Sequence, residues 1–210
     1  MIEGIAVQDL TGMSALTKVL PPDLGADEEI DWSAAEARWD IRFPRDYRAF
    51  MAIYGAGSIG FVGSFAEINI LMPLPKDYIQ WDPGTFEEET ENARAAWEML
   101  DGQEGLDIDP GHILAWGVSN GPDILCWLTT DPDPDNWPVL VCGRHTDEPF
   151  TLFPCGMVEF LRKLLLDGYA PLSIDVRGAS PRYVHWLEQQ KRWKAGLDRY
   201  SGEPRSTHPY

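Results

Sequence analysis

A chain of 210 residues is long enough to bury one full core and too short for two ordinary domains. At 44% hydrophobic and 24% charged residues it is neither disordered nor fibrous. Its net charge of −17 repels nucleic acid and anionic membranes and attracts basic proteins or cations, which argues against a nucleic-acid binder. The charge is uneven, because seven basic residues face three acidic ones from Arg177 onward, a balance of +4 that leaves −21 on the rest. Nine tryptophans predict a core or a partner surface built on large aromatics. The first residues carry Glu3 where a signal peptide carries bases, and no apolar run approaches the ~20 residues of a membrane span, so a cytoplasmic protein is expected. Cys126, Cys142 and Cys155 form no C-x-x-C, which predicts reduced core thiols rather than disulfides or a zinc site.

In chain order, residues 1–30 read as an irregular arm or a short helix followed by the acidic loop "PPDLGADEE". Ser33 and Glu36 have capping-box spacing and predict the start of a short helix. Phe43, Tyr47, Phe50, Met51 and Tyr54 then form one apolar helical stripe, with Pro44 in its first turn. Gly55, Gly57 and Gly60 have the G-x-G-x-x-G spacing of a dinucleotide loop. Here, however, a helix enters the glycines and a strand leaves them, the reverse of the order that would meet phosphates, so a helix cap plus a turn is the reading. No cofactor is expected. Strands are predicted in "SIGFV", "EINILMP", "HILAWGV", "DILCWLTT", "WPVLVCG" and "PFTLFPC", as a largely antiparallel meander. Between the second and third lies the helix "TFEEETENARAAWEML", capped by Thr85 and Glu88, with Phe86, Ala93, Trp97 and Leu100 inward. "GMVEFLRKLLLDG" predicts a core helix with Met157, Phe160, Leu161, Leu164 and Leu165 on one face. Ser180 and Pro181 read as the start of a basic, aromatic helix, with a frayed tail after it. The expected organisation is an arm over 1–30, a domain over 31–170, and the C-terminal basic helix and tail over 171–210.

Several stretches together resemble the SUKH superfamily, which includes the yeast cell-wall assembly regulator family and many bacterial immunity proteins. "AEARWDIRFPRDYRAFMAIYGAGSIG", with Trp39, Phe43, Pro44, Asp46, Tyr47, Phe50, Tyr54, Gly55 and Gly57, is similar to the opening of those domains. "ILAWGVSNGPDILCWLTT", with Trp116, Gly117, Asn120, Gly121 and Trp127, resembles their paired central strands. "DPDNWPVLV" and "TLFPCGMVEFLRKLL" resemble the closing strand and helix, so the likeness covers roughly residues 31–168. The resemblance implies an α+β domain whose single mixed, largely antiparallel sheet, of about six strands here, is flanked by helices. It also implies no common catalytic centre, and for bacterial members the binding and neutralisation of a cognate toxin, often a nuclease.

The candidate sites fit that expectation better than chemistry. Asp131, Asp133 and Asp135 alternate as in a calcium loop, but Asn136 and Cys142 stand where such a loop needs Gly and a bidentate Glu, so an acidic turn between strands is expected and no metal site. Cys142 near His145 lies in an apolar strand that favours an inert thiol, and His112, His185 and His208 lack metal-ligand spacing. The expected contact surface combines Glu87, Glu88 and Glu89 with Asp131, Asp133 and Asp135, steering a basic toxin domain, with Trp81, Trp137 or Trp193 as aromatic anchors if exposed. A scaffold of the cell-wall-regulator kind and an enzyme with an acidic cleft are the alternatives.

Overall fold

The computed structural model describes residues 12–73, 84–143, 148–167, 172–176 and 178–205. Among them are six helices and seven strands: α1 (12–19), α2 (Trp32–Trp39), α3 (Arg45–Ile53), β1 (Gly57–Val62), β2 (Glu67–Ile70), α4 (Phe86–Met99), β3 (Ile113–Ser119), β4 (Ile124–Leu128), β5 (Val139–Cys142), β6 (Phe150–Phe153), α5 (Met157–Asp167), β7 (Ser180–His185) and α6 (Trp186–Lys194). The strands make one antiparallel sheet in the order β6-β5-β4-β3-β2-β1-β7. The six expected strands form the meander. The seventh, β7, returns to the free edge of β1.

Local chemistry explains most element ends. Asp31, not Ser33, caps α2 by accepting from the Ala34 amide at 3.0 Å, and Trp32 becomes its first residue. Thr85 and Glu88 close the expected capping box on α4. Gly55 follows α3 with φ +71°, where its amide bonds the Met51 carbonyl, so the glycine run is a left-handed helix end and not a phosphate cradle. The expectation of a helix from Ser180 is corrected, since Ser180–His185 is a strand and α6 begins at Trp186. Pro181 fits that strand because its nitrogen lies on the outer edge, where no ladder bond is needed.

Strand register divides the core into two faces. Trp127, Ile59 and Tyr183 point to one face and meet α3, through Tyr47 against Trp127 at 5.0 Å and Phe50 against Tyr183 at 5.7 Å. On this face α5 packs beside α3, with Phe160 on Phe153 at 5.2 Å. Asp46 of α3 accepts from the Val158 amide at 3.0 Å, placing a carboxylate at the positive end of α5. Three buried tyrosines pin loops to this layer: Tyr47 donates to the Leu71 carbonyl, Tyr54 to Leu20 and Tyr183 to Gly55. Burial pushes all three phenols above the ordinary tyrosine range. Met13, Leu16 and Leu20 of the N-terminal segment are also core, and of the two readings of residues 1–30 the described part follows the short helix with a loop after it.

The other face is shared between two covers. α4 lies over β3 to β6, where Trp97 meets Phe150 at 4.7 Å. Thr90 accepts from the Ala115 amide at 3.0 Å, at the bulge that Trp116 makes in β3. Leu100, expected to face inward, is 52% exposed because α4 has ended before it. Over β1 and β2 the cover is instead α6 and the loop that follows it, so the basic C-terminal segment is part of the sheet's packing.

Both edges of the sheet are short. On β6 the outward rungs fall at Phe150 and Leu152, and the Gln103 side chain takes both the amide and the carbonyl of Phe150, at 2.8 and 2.7 Å, before Pro154 ends the strand. On β7 they fall at Pro181, Tyr183 and His185, and the His185 amide is taken by the Leu24 carbonyl.

Candidate protein-binding surface

The expected acidic stretches lie on either side of the α2–α3 connection, and both are engaged by the chain itself. Glu87 pairs with Arg38, Glu88 closes the capping box, and Glu89 accepts from Asn92 at 3.2 Å. The Thr85 amide and hydroxyl hold the Glu88 carboxyl below the usual glutamate range. Asp131 and Asp133 each accept the backbone amide two residues on, which stiffens the turn. Asp135 receives both the amide and the Nε of Arg45, at 2.8 and 2.5 Å, docking the turn on the start of α3.

The aromatic anchors divide as sharply. Trp137 is 5% exposed, packs on Trp127, and donates its indole N–H to the Asp131 carbonyl at 2.7 Å, so it is core and cannot reach a partner. Trp81 lies outside the described residues. Trp193 is 37% exposed, with the Arg205 guanidinium stacked 3.6 Å above its ring. Phe43, Tyr47, Phe50, Tyr54, Trp116 and Trp127 are buried, and Trp39 donates to the Pro73 carbonyl. Asn120 fixes the β1–β2 hairpin by accepting from the Glu67 amide and donating to the Phe65 carbonyl. A Cβ at Gly121 would lie 2.8 Å from Ile174.

The open acidic surface is elsewhere, at the C-terminal end of α4. There Trp97, Ile108 and the loop between them line a groove of about 610 Å³, rimmed by Glu98, Asp101, Glu104 and Asp107. Trp97 and Gln103 clamp this loop to β6, and Gly102 and Gly105 turn it with φ of +75° and +86°. All four carboxylates are exposed, and none pairs with a cation among the described residues. Arg94, one turn before Glu98 on α4, donates to the carbonyls of Gly111 and Ile113. α4 has no base in its last turn, so its negative helix end adds to the field. Met99, 84% exposed, and Leu100 stand beside the groove as apolar contact area.

This surface was legible only as a gap in composition, since residues 95–143 contain nine acidic residues and no Lys or Arg. A second group escaped the sequence altogether. His185 and Glu28 meet at 2.8 Å in the core, where the other ring nitrogen accepts from the Leu187 amide and caps α6. That arrangement joins the N-terminal segment to β7 and serves structure. No group of three or more His, Cys, Asp or Glu that could hold a metal occurs among the described residues, and none of their helices is long and apolar enough to cross a membrane.

A single antiparallel sheet between helices, with an open charged groove among the described residues, defines an α+β domain. The model of the SMI1 / KNR4 family (SUKH-1) matches residues 26–163, and the chain belongs to that family, whose domains are generally non-catalytic binding domains. No curated protein and no solved structure matches the chain. The match ends before β7 and α6.

Proposed function

We propose that this chain is a bacterial, cytoplasmic immunity protein that binds a cognate toxin, a basic polypeptide of the nuclease kind, and neutralises it by covering its surface. The observation that carries this reading is the groove of unpaired carboxylates at the end of α4, with Met99 exposed beside it. Unpaired surface charge steers a basic partner over long range, and an adjacent apolar side chain excludes water once the two meet. Glu87 to Glu89, at the start of α4, and Asp131 to Asp135, docked on the start of α3, add to the field rather than to the contact.

The test is capture on the immobilised protein at low salt, followed by elution with rising salt and kinetics on the eluted partner. A basic polypeptide with a toxin domain, associating more slowly as salt rises, supports the proposal. A cell-wall or regulatory protein supports the scaffold reading instead. An association rate that salt does not change removes the groove as the steering element.

A further inference from the structure

The sheet carries a second built feature, away from the acidic groove and independent of the toxin reading. At Gly60 of β1 the sheet has no side chain on the face that α6 and its following loop cover, and the Tyr200 ring lies there. A Cβ on Gly60 would fall 2.3 Å from that ring. The Tyr200 hydroxyl meets the Ser58 Oγ at 2.6 Å, and the same Oγ accepts from Gln189 of α6 at 2.7 Å. Beside it Arg199 donates to Glu67 at 3.0 Å. The notch therefore reads one basic side chain followed by one phenol.

The loop that supplies them is held differently from the core. No residue of 195–205 is fully buried, whereas Ser58 beneath it is wholly so. Its shape is local: Leu197 pairs with Pro204, and Asp198 accepts from the amides of Tyr200 and Ser201 and from the Ser201 hydroxyl. Its outer attachments are guanidinium bonds from Arg182 and Arg192 to the carbonyls of 199–201, from Arg199 to the Gln189 side chain, and from Arg205 to the Trp193 carbonyl, where Arg205 also stacks on the Trp193 ring. A self-folded segment that is half-buried at Arg199 and Tyr200, with one ring packed on the sheet and otherwise polar attachments, belongs to the class that opens without global unfolding.

We infer that Ser58, Gly60, Glu67 and Gln189 form a docking notch for a basic–tyrosine segment of a partner protein, and that loop 195–205 is a latch filling it with the chain's own Arg199 and Tyr200. The closed latch lowers apparent affinity by the fraction of time the notch is shut. The probe is a labelled peptide with the sequence of residues 195–205, titrated by fluorescence anisotropy into full-length protein. The full-length Tyr200→Ala variant is expected to bind it about tenfold or more tightly than the wild type. Adding Gly60→Leu, which fills the notch, is expected to abolish that binding, as is replacing tyrosine by alanine in the peptide. A folded Tyr200→Ala protein that does not bind the peptide, or binding that survives Gly60→Leu, overturns the inference. If Tyr200→Ala does not fold, hydrogen exchange on the wild type decides. Amides of 195–205 exchanging about tenfold or more faster than those of β1 support a latch, and equal rates overturn it.

Discussion

The two acidic regions of this domain carry the same chemistry and do opposite work. Around Glu87 and Asp135 each carboxylate has a task inside the fold, as partner to Arg38 or Arg45, as half of a capping box, or as acceptor for a turn amide. At Glu98, Asp101, Glu104 and Asp107 the carboxylates bound a groove and hold nothing. Density of acidic residues marks both regions equally. What separates them is whether the chain supplies a donor, and only the region without one has charge left over for another molecule.

Substitutions sharpen that contrast. Trp137→Ala, beneath the engaged turn, is expected to cost about 3–5 kcal/mol, as large core aromatics do, read as a lower denaturation midpoint. Its effect on partner binding should not exceed what unfolding explains, and a well-folded variant that loses binding would return Trp137 to the surface. Neutralising the groove with Glu98→Gln, Asp101→Asn, Glu104→Gln and Asp107→Asn should slow association with a basic partner by about ten- to a hundredfold at low salt. The melting temperature should hold or rise, since these side chains hold no fold contact and repel one another. Asp135→Ala is expected to cost about 1–2 kcal/mol, discounted for the exposure of Arg45, and to leave the association rate nearly unchanged. The smallest effect is the pH response of Glu88. Its folded carboxyl titrates below the unfolded one, so its contribution is complete above the unfolded value of about 4.3 and is lost as pH falls through the lower folded value. Acid denaturation of Thr85→Ala followed beside the parent measures it, and parallel curves would remove the capping box from the account.

Local signals carried far in this chain. The stripe from Phe43 to Tyr54 predicted α3 because every fourth residue meets the same core, and Gly55 had to follow because only glycine enters the left-handed region there cheaply. Thr85 and Glu88 predicted α4 from contacts three residues apart. Three features failed the same approach. Ser180-Pro181 suits a helix start and an edge strand equally, and β1, more than a hundred residues earlier in the chain, decides between them. Trp137 stands among acidic residues yet folds inward because Trp127 gives its ring a wall. Ser58 and Tyr200 are separated by 142 positions, so no spacing rule connects them. The same limit hid the groove, whose loop is tied to β6 through Gln103 and Phe150, 47 positions apart.

The sheet edges have a consequence for how copies of this protein meet one another. A second copy that approached β6 would find the Phe150 rung already occupied by Gln103 and no donor at Pro154, and on β7 it would meet Pro181 and a His185 amide bound to Leu24. Each side therefore offers a newcomer a single rung, too little for strand-by-strand stacking into fibrils. The mutual repulsion of a −17 surface acts in the same direction. Both features act against strand-by-strand self-association of whatever copies of the domain stand free.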